Sequence, residues 1–153
     1  MKSGDKMAGI KSKQFFYKNT IKWNEERKGT LSSLDKPDIE IATPPEFRGH
    51  HGIWTPEDLL VASVNSCIMT TFLYYAQKEH LDFIGYESSA EGILERVGDV
   101  FMISYVSVKP IITIRNREDT DRIKRIIEMS DKNCLISDSV KSKVEVIAEI
   151  KID

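Results

Sequence analysis

The run Thr55-Pro-Glu-Asp-Leu-Leu-Val-Ala-Ser-Val-Asn-Ser-Cys67, continuing through Ile68, Phe72, Tyr74, Tyr75 and Ala76 to Glu79, decides the fold. Thr55 is a good N-cap, and Pro56 suits the first helical position, where its missing N–H would have no partner anyway. Glu57 and Asp58 then place negative charge in the first turn, where the helix dipole favours it. These signals predict one helix from Thr55 to Glu79. About 25 residues at ~1.5 Å each span on the order of 37 Å, the width of a small domain. Apolar or small residues (Leu59, Leu60, Ala62, Val64, Cys67, Ile68, Phe72, Leu73, Ala76) occur on most sides, with no Lys or Arg until Lys78. The expectation is a helix buried nearly all round and running through the core.

Upstream, Phe15, Tyr17, Ile21 and Trp23 give Lys13 to Asn24 a strand-like pattern, and Glu25-Glu26-Arg27-Lys28-Gly29 reads as a polar turn. A partner strand at about Thr30 to Leu34 and a third at Ile39 to Ala42 follow. Thr43-Pro-Pro-Glu-Phe-Arg-Gly-His-His-Gly52 is read as irregular, because its prolines and glycines interrupt both kinds of backbone ladder. It delivers Arg48, His50 and His51 to the start of the helix. Residues 1–12 are read as a flexible start, and 13–153 as a single domain.

Downstream, Asp82 to Arg96 and Val100 to Arg115 read as two long strands reversing at Val97-Gly98-Asp99. Pro110 predicts an edge position or a bulge in the second. Asp119 to Asp131 is amphipathic and is read as a surface helix. Asn133 is read as the cap of a short helix from Cys134 to Val140, and Lys143 to Ile152 as a last strand. Strands and helices come in blocks, which predicts an α+β fold with mainly antiparallel sheets.

Composition narrows the function. The 153 residues are 41% hydrophobic, enough for a core without disulfide staples. The 22 basic and 24 acidic residues leave a net charge of −2 with no long block of one sign, which argues against nucleic acid. No run reaches the ~18 apolar residues of a membrane span, and the first residues carry no apolar signal core. The expectation is a cytoplasmic protein, in which Cys67 and Cys134 form a buried thiol pair or a redox pair rather than a permanent staple.

The motif Trp54-Thr-Pro-Glu-Asp-Leu-Leu-Val-Ala-Ser-Val-Asn-Ser-Cys67 together with Asn133-Cys134-Leu-Ile-Ser-Asp resembles the OsmC/Ohr family of osmotically inducible and organic hydroperoxide resistance proteins. The likeness runs from about Lys13 to the end and includes the element order of three strands, long helix, two strands, two helices and strand. It implies an intertwined homodimer and a thiol peroxidase with no metal and no organic cofactor. Cys67 would attack an organic hydroperoxide, and Cys134 would resolve the sulfenic acid as a disulfide. A dithiol such as a lipoylated protein would reduce it. The family's glutamate falls on Glu57 and its arginine on Arg48 or Arg27. Leu135 stands where many members have proline.

Physical chemistry sets conditions on that reading. A thiol of pKa about 8.5 is only a few per cent thiolate at neutral pH, and apolar burial lowers that fraction further, so Cys67 needs a cation. Arg48 can supply a permanent charge and Glu57 can hold its planar fork. Glu57 and Cys67, ten residues apart, lie about 15 Å apart on one straight helix. Either Arg48 bridges that gap, or a second copy of the helix crosses antiparallel near Ala62, Ser63 and Ser66. The second geometry places the site at a dimer interface. On local electrostatics alone Cys134 is the better nucleophile, since a short helix start lowers a thiol pKa and a loop exposes it. The family pattern favours Cys67, with Trp54, Ile68, Met69, Phe72 and Tyr75 lining a pocket. Two other readings remain. One is a non-enzymatic binder of a small apolar molecule, or a redox sensor, on the same fold. The other is a metal site drawing on His50 and His51, although adjacent histidines point in different directions.

Overall fold

The computed structural model describes residues 12–153, so of the flexible start read for residues 1–12 only Ser12 lies within it. A first sheet is the antiparallel meander β1 (Thr20–Glu25), β2 (Lys28–Ser32) and β3 (Ile39–Ala42). Its first hairpin is tighter than the polar run suggested, turning at Glu26 and Arg27 with Glu26 at φ 46°. Gly29 does not end the turn but pairs with Trp23 inside the ladder. A Cβ on it would stand 2.9 Å from the Lys22 carbonyl oxygen, so glycine serves there for close approach. Every residue of β1 is exposed.

The Pro-Pro loop contains one turn of regular structure after all, a 3-10 turn at Pro45–Phe47. Arg48 follows it in the left-handed region, φ 62°. Gly49 N–H reaches back to the Pro44 carbonyl and His50 N–H to the Thr43 carbonyl, both at 3.0 Å, so the loop closes on itself. The helix α1 then runs Pro56–Lys78 with Thr55 as its cap. Asp58 completes a capping box: its N–H donates to Thr55 Oγ1 at 3.1 Å while its carboxylate accepts from Thr55 N–H at 3.0 Å.

Only one stripe of α1 is buried within the chain: Val64, Ile68, Phe72 and Ala76, at the spacing that stacks side chains on one face. Burying each of the three larger ones is worth about 1.5–3 kcal/mol. The expectation of burial on nearly all sides is thus corrected for a single chain. Thr70, Leu73, Tyr74 and Gln77 are exposed, because no element among the described residues lies over that side.

The covered stripe rests on a second sheet and on α2. Strands β4 (Gly85–Val97) and β5 (Val100–Ile114) form a long antiparallel hairpin with a register shift at Ile93/Leu94. Helix α2 (Thr120–Lys132) buries Ile123 and Ile126 against Phe72, Ala76, Ile112 and Ile114. A five-residue helix, α3 (Leu135–Ser139), is capped by Cys134 rather than by Asn133, whose side chain is spent on the Met129 carbonyl. The last strand is split, into β6 (Lys143–Val146) and β7 (Glu149–Ile152), both parallel to β5.

Pro110 sits neither on an edge nor at a bulge. It is buried in the central strand, opposite Ser88. The Val108 carbonyl accepts from Ile147 N–H at 2.8 Å, so by strand alternation the Pro110 nitrogen faces the same side. β6 pairs no further than Val108 and β7 begins at Ile111, which leaves the missing N–H between them. The α+β architecture follows the order read from the sequence, with mostly antiparallel pairing.

Candidate active site

Helix α1 and the α2–α3 junction bring the two cysteines together. Cys67 precedes the buried Ile68 by one position and so sits at the margin of the covered stripe, half-buried, with Thr71 Oγ1 4.0 Å from its sulfur. Cys134 belongs to the apolar cluster of Val64, Ile68, Val106 and Val108, against which Cys67 also packs. Both thiols are free.

Their exposures reverse the expectation. Cys134 is 0% exposed, whereas the helix cysteine keeps partial access. Burial, then the hydrogen-bonding interaction with Cys67, pushes the Cys134 thiol up from its ordinary value. The Ser137 N–H donates to its sulfur at 3.4 Å and Ser137 opposes the shift, but burial outweighs it. The lowered pKa read from a helix start and an exposed loop is therefore corrected: strand and helix valines cover the loop. Burial thus favours the protonated form of Cys134.

Glu57 stands at the other end of α1. One of its carboxylate oxygens is sequestered with no hydrogen-bond partner among the described residues. It lines a cavity of about 550 Å³ with Trp54, His50, Val61, Asn65 and Gly92. Neither cysteine lines that cavity, and Ile68 and Phe72, expected in a pocket, are buried core instead. The Arg48 side chain is exposed and, among the described residues, its guanidinium makes no ion pair or hydrogen bond; only its backbone N–H is used, donating to the Pro45 carbonyl at 3.0 Å. Arg27 donates from Nη1 to the Phe47 carbonyl at 2.7 Å, on the lip of the cavity. One chain thus brings Cys67 to Cys134 and Arg27 to the cavity rim, but brings neither arginine to Glu57 by a direct bond.

His50 Nε2 lies 3.2 Å from Glu26 Oε2, tying the loop to the first hairpin. Sequence reasoning singled out neither Asn65 nor Ser137. Asn65 accepts from the Ser88 hydroxyl at 2.7 Å. The motif Cys134-Leu-Ile-Ser137 contained the second signal, since a cap residue meets the N–H three positions on.

Comparison with known proteins agrees with this geometry. Residues 49–149 match the model of the OsmC-like protein family. An OsmC-like protein of unknown function from Vibrio cholerae is 21% identical and superposes with a TM-score of 0.78, covering 90% of this chain and 99% of its own. An organic hydroperoxide resistance protein OsmC from Legionella pneumophila is 19% identical, with a TM-score of 0.69 over 91% of this chain and 100% of its own. The uncharacterized protein YmaD of Bacillus subtilis is 20% identical over 141 residues, 90% of this chain and 93% of its own. With more than half of its length matched from the β3–α1 loop to β7, the chain belongs to the OsmC-like family.

Proposed function

We propose that the protein is a cysteine-based peroxidase of organic hydroperoxides, working as a homodimer in the cytoplasm. The observation that carries this is the pair of free thiols in one apolar cluster, one half-accessible and the other buried and held protonated beside it. The Cys67 thiolate attacks the peroxide oxygen, the O–O bond breaks, and the alcohol leaves with a proton. Cys134 then attacks the Cys67 sulfenic acid, expelling water and forming the disulfide. A dithiol, such as a lipoylated protein, restores both thiols with two electrons and two protons. Glu57 orients an arginine at the thiolate. Arg48 is the first candidate for that arginine, and Arg27, tied to the cavity rim, is the second.

The dimer reading rests on the uncovered face of α1 and on the ~15 Å between Glu57 and Cys67 along it. An antiparallel crossing brings one chain's cavity to the other chain's Cys67. Relatives named as organic hydroperoxide resistance proteins support the substrate class. A second reading is favoured by the separation of cavity and cysteines within one chain: a non-enzymatic binder of a small apolar molecule or a redox sensor. Turnover of cumene hydroperoxide with a dithiol reductant separates them. The peroxidase consumes it and Cys67→Ser abolishes consumption, whereas undiminished turnover in that variant removes the assignment.

A further inference from the structure

Ser137 has a sequestered hydroxyl that is not used by the fold. Its Oγ has no hydrogen-bond partner among the described residues, although a half-buried serine ordinarily finds one. Its own N–H is fixed on Cys134 Sγ at 3.4 Å, so the residue is anchored beside that sulfur. The hydroxyl is near enough to lower the Cys134 pKa, yet not aligned as a hydrogen bond to the protonated thiol. A donor placed so is of use to a thiolate.

A thiolate arises at Cys134 when the disulfide is reopened, provided that Cys134 is the leaving sulfur. Thiol–disulfide exchange requires the attacking sulfur to approach in line, from the side opposite the sulfur that departs. Cys134 is 0% exposed behind Val64, Ile68, Val106 and Val108 of its own chain, and a partner subunit can only add to that cover. Cys67 retains the open side. Access therefore selects Cys67 as the sulfur attacked, although burial, by pushing the Cys134 thiol up, makes that sulfur a reluctant leaving group.

We infer that the reducing dithiol opens the Cys67–Cys134 disulfide at Cys67, and that Ser137 is a catalytic residue of this step, its hydroxyl donating to the Cys134 thiolate as it departs. The reductant's thiolate bonds to Cys67 Sγ, the Cys67–Cys134 bond breaks, and the electron pair leaves on Cys134, which takes a proton from solvent. The second thiol of the reductant then attacks the first, releasing Cys67 and an oxidised cyclic disulfide. This rests on the proposed disulfide but not on the peroxide that makes it.

The test makes the disulfide with diamide, so that peroxidase activity is not presupposed. Oxidised protein is mixed with 2-mercaptoethanol, quenched in acid within the first turnover, and mapped by peptide mass spectrometry. The adduct is expected on Cys67; an adduct on Cys134 overturns the inference. Single-turnover reduction by dithiothreitol is then followed across pH. Ser137→Ala is expected to slow it about tenfold to a hundredfold, the worth of a hydrogen bond to a charged group, with Ser137→Thr restoring most of the rate. The Ala variant should also move Cys134 alkylation to higher pH, which a merely structural serine would not do. Equal rates in the Ala variant and the wild type overturn the role of Ser137. Normal dithiol reduction with no hydroperoxide consumption removes the peroxidase reading instead and leaves this one standing.

Discussion

Burial pushes the Tyr86 phenol up to about 12, and its hydroxyl has no hydrogen-bond partner among the described residues. The neutral ring is what the core holds. The unfolded chain releases that proton near the ordinary phenol value of about 10, so its contribution to stability is complete below that pH and is lost as pH rises towards the folded value. Tyr86→Phe is expected to flatten the alkaline limb of urea midpoints. At neutral pH it should leave stability within about 1 kcal/mol of wild type, since no bond is lost; a larger loss would show that the hydroxyl is partnered. Cys134 offers a second check: burial holds its thiol above the usual range, so iodoacetamide near neutral pH should label Cys67 well before Cys134 in peptide maps, and equal labelling contradicts the geometry. Both cysteines and Glu57 stand out in the sequence as candidates because motif and cap spacing are local. Which thiol is the covered one was not, because Cys134 is hidden by Val106 and Val108 from a strand over twenty residues away.

At the level of elements, β4 lies against α1 where Gly92 faces Val61. A Cβ added at Gly92 would sit 2.5 Å from Val61 Cγ2, so Gly92→Ala forces helix and hairpin apart. The expected cost is about 1–3 kcal/mol in denaturant midpoints, as for other overpacked contacts. Val61→Ala in the same chain should recover most of it, and failure to do so places the strain elsewhere. The Thr43–His50 loop is less forgiving, because a Cβ at Gly49 would fall 1.6 Å from the Thr43 carbonyl oxygen. Helix α1 could be read to within a residue at each end because Thr55, Pro56 and Asp58 act on their own backbone. The β6–β7 split could not be read, since its cause is the proline of another strand.

For the molecule as a whole, the side of α1 that carries Leu73 and Tyr74, the latter 57% exposed, is left uncovered by the described residues of one chain. Tyr74→Glu should halve the mass seen by sedimentation equilibrium if the proposed second subunit lies there; an unchanged mass removes this face as its seat. Sequence reading saw the helix as enclosed because an all-round apolar pattern does not say whose residues do the enclosing. The first sheet poses the same question in time. Among the described residues its one ladder link beyond the meander is the bridge between Ile41 and Trp54, and every residue of β1 is exposed. Synthesis delivers this meander from the ribosome before α1 or β4 exists, with Ile21 and Trp23 unsheltered and an open edge strand beside them. A nascent chain is therefore most vulnerable while this hairpin waits for the rest of the fold, and slowed translation would show as aggregation seeded at β1 and β2.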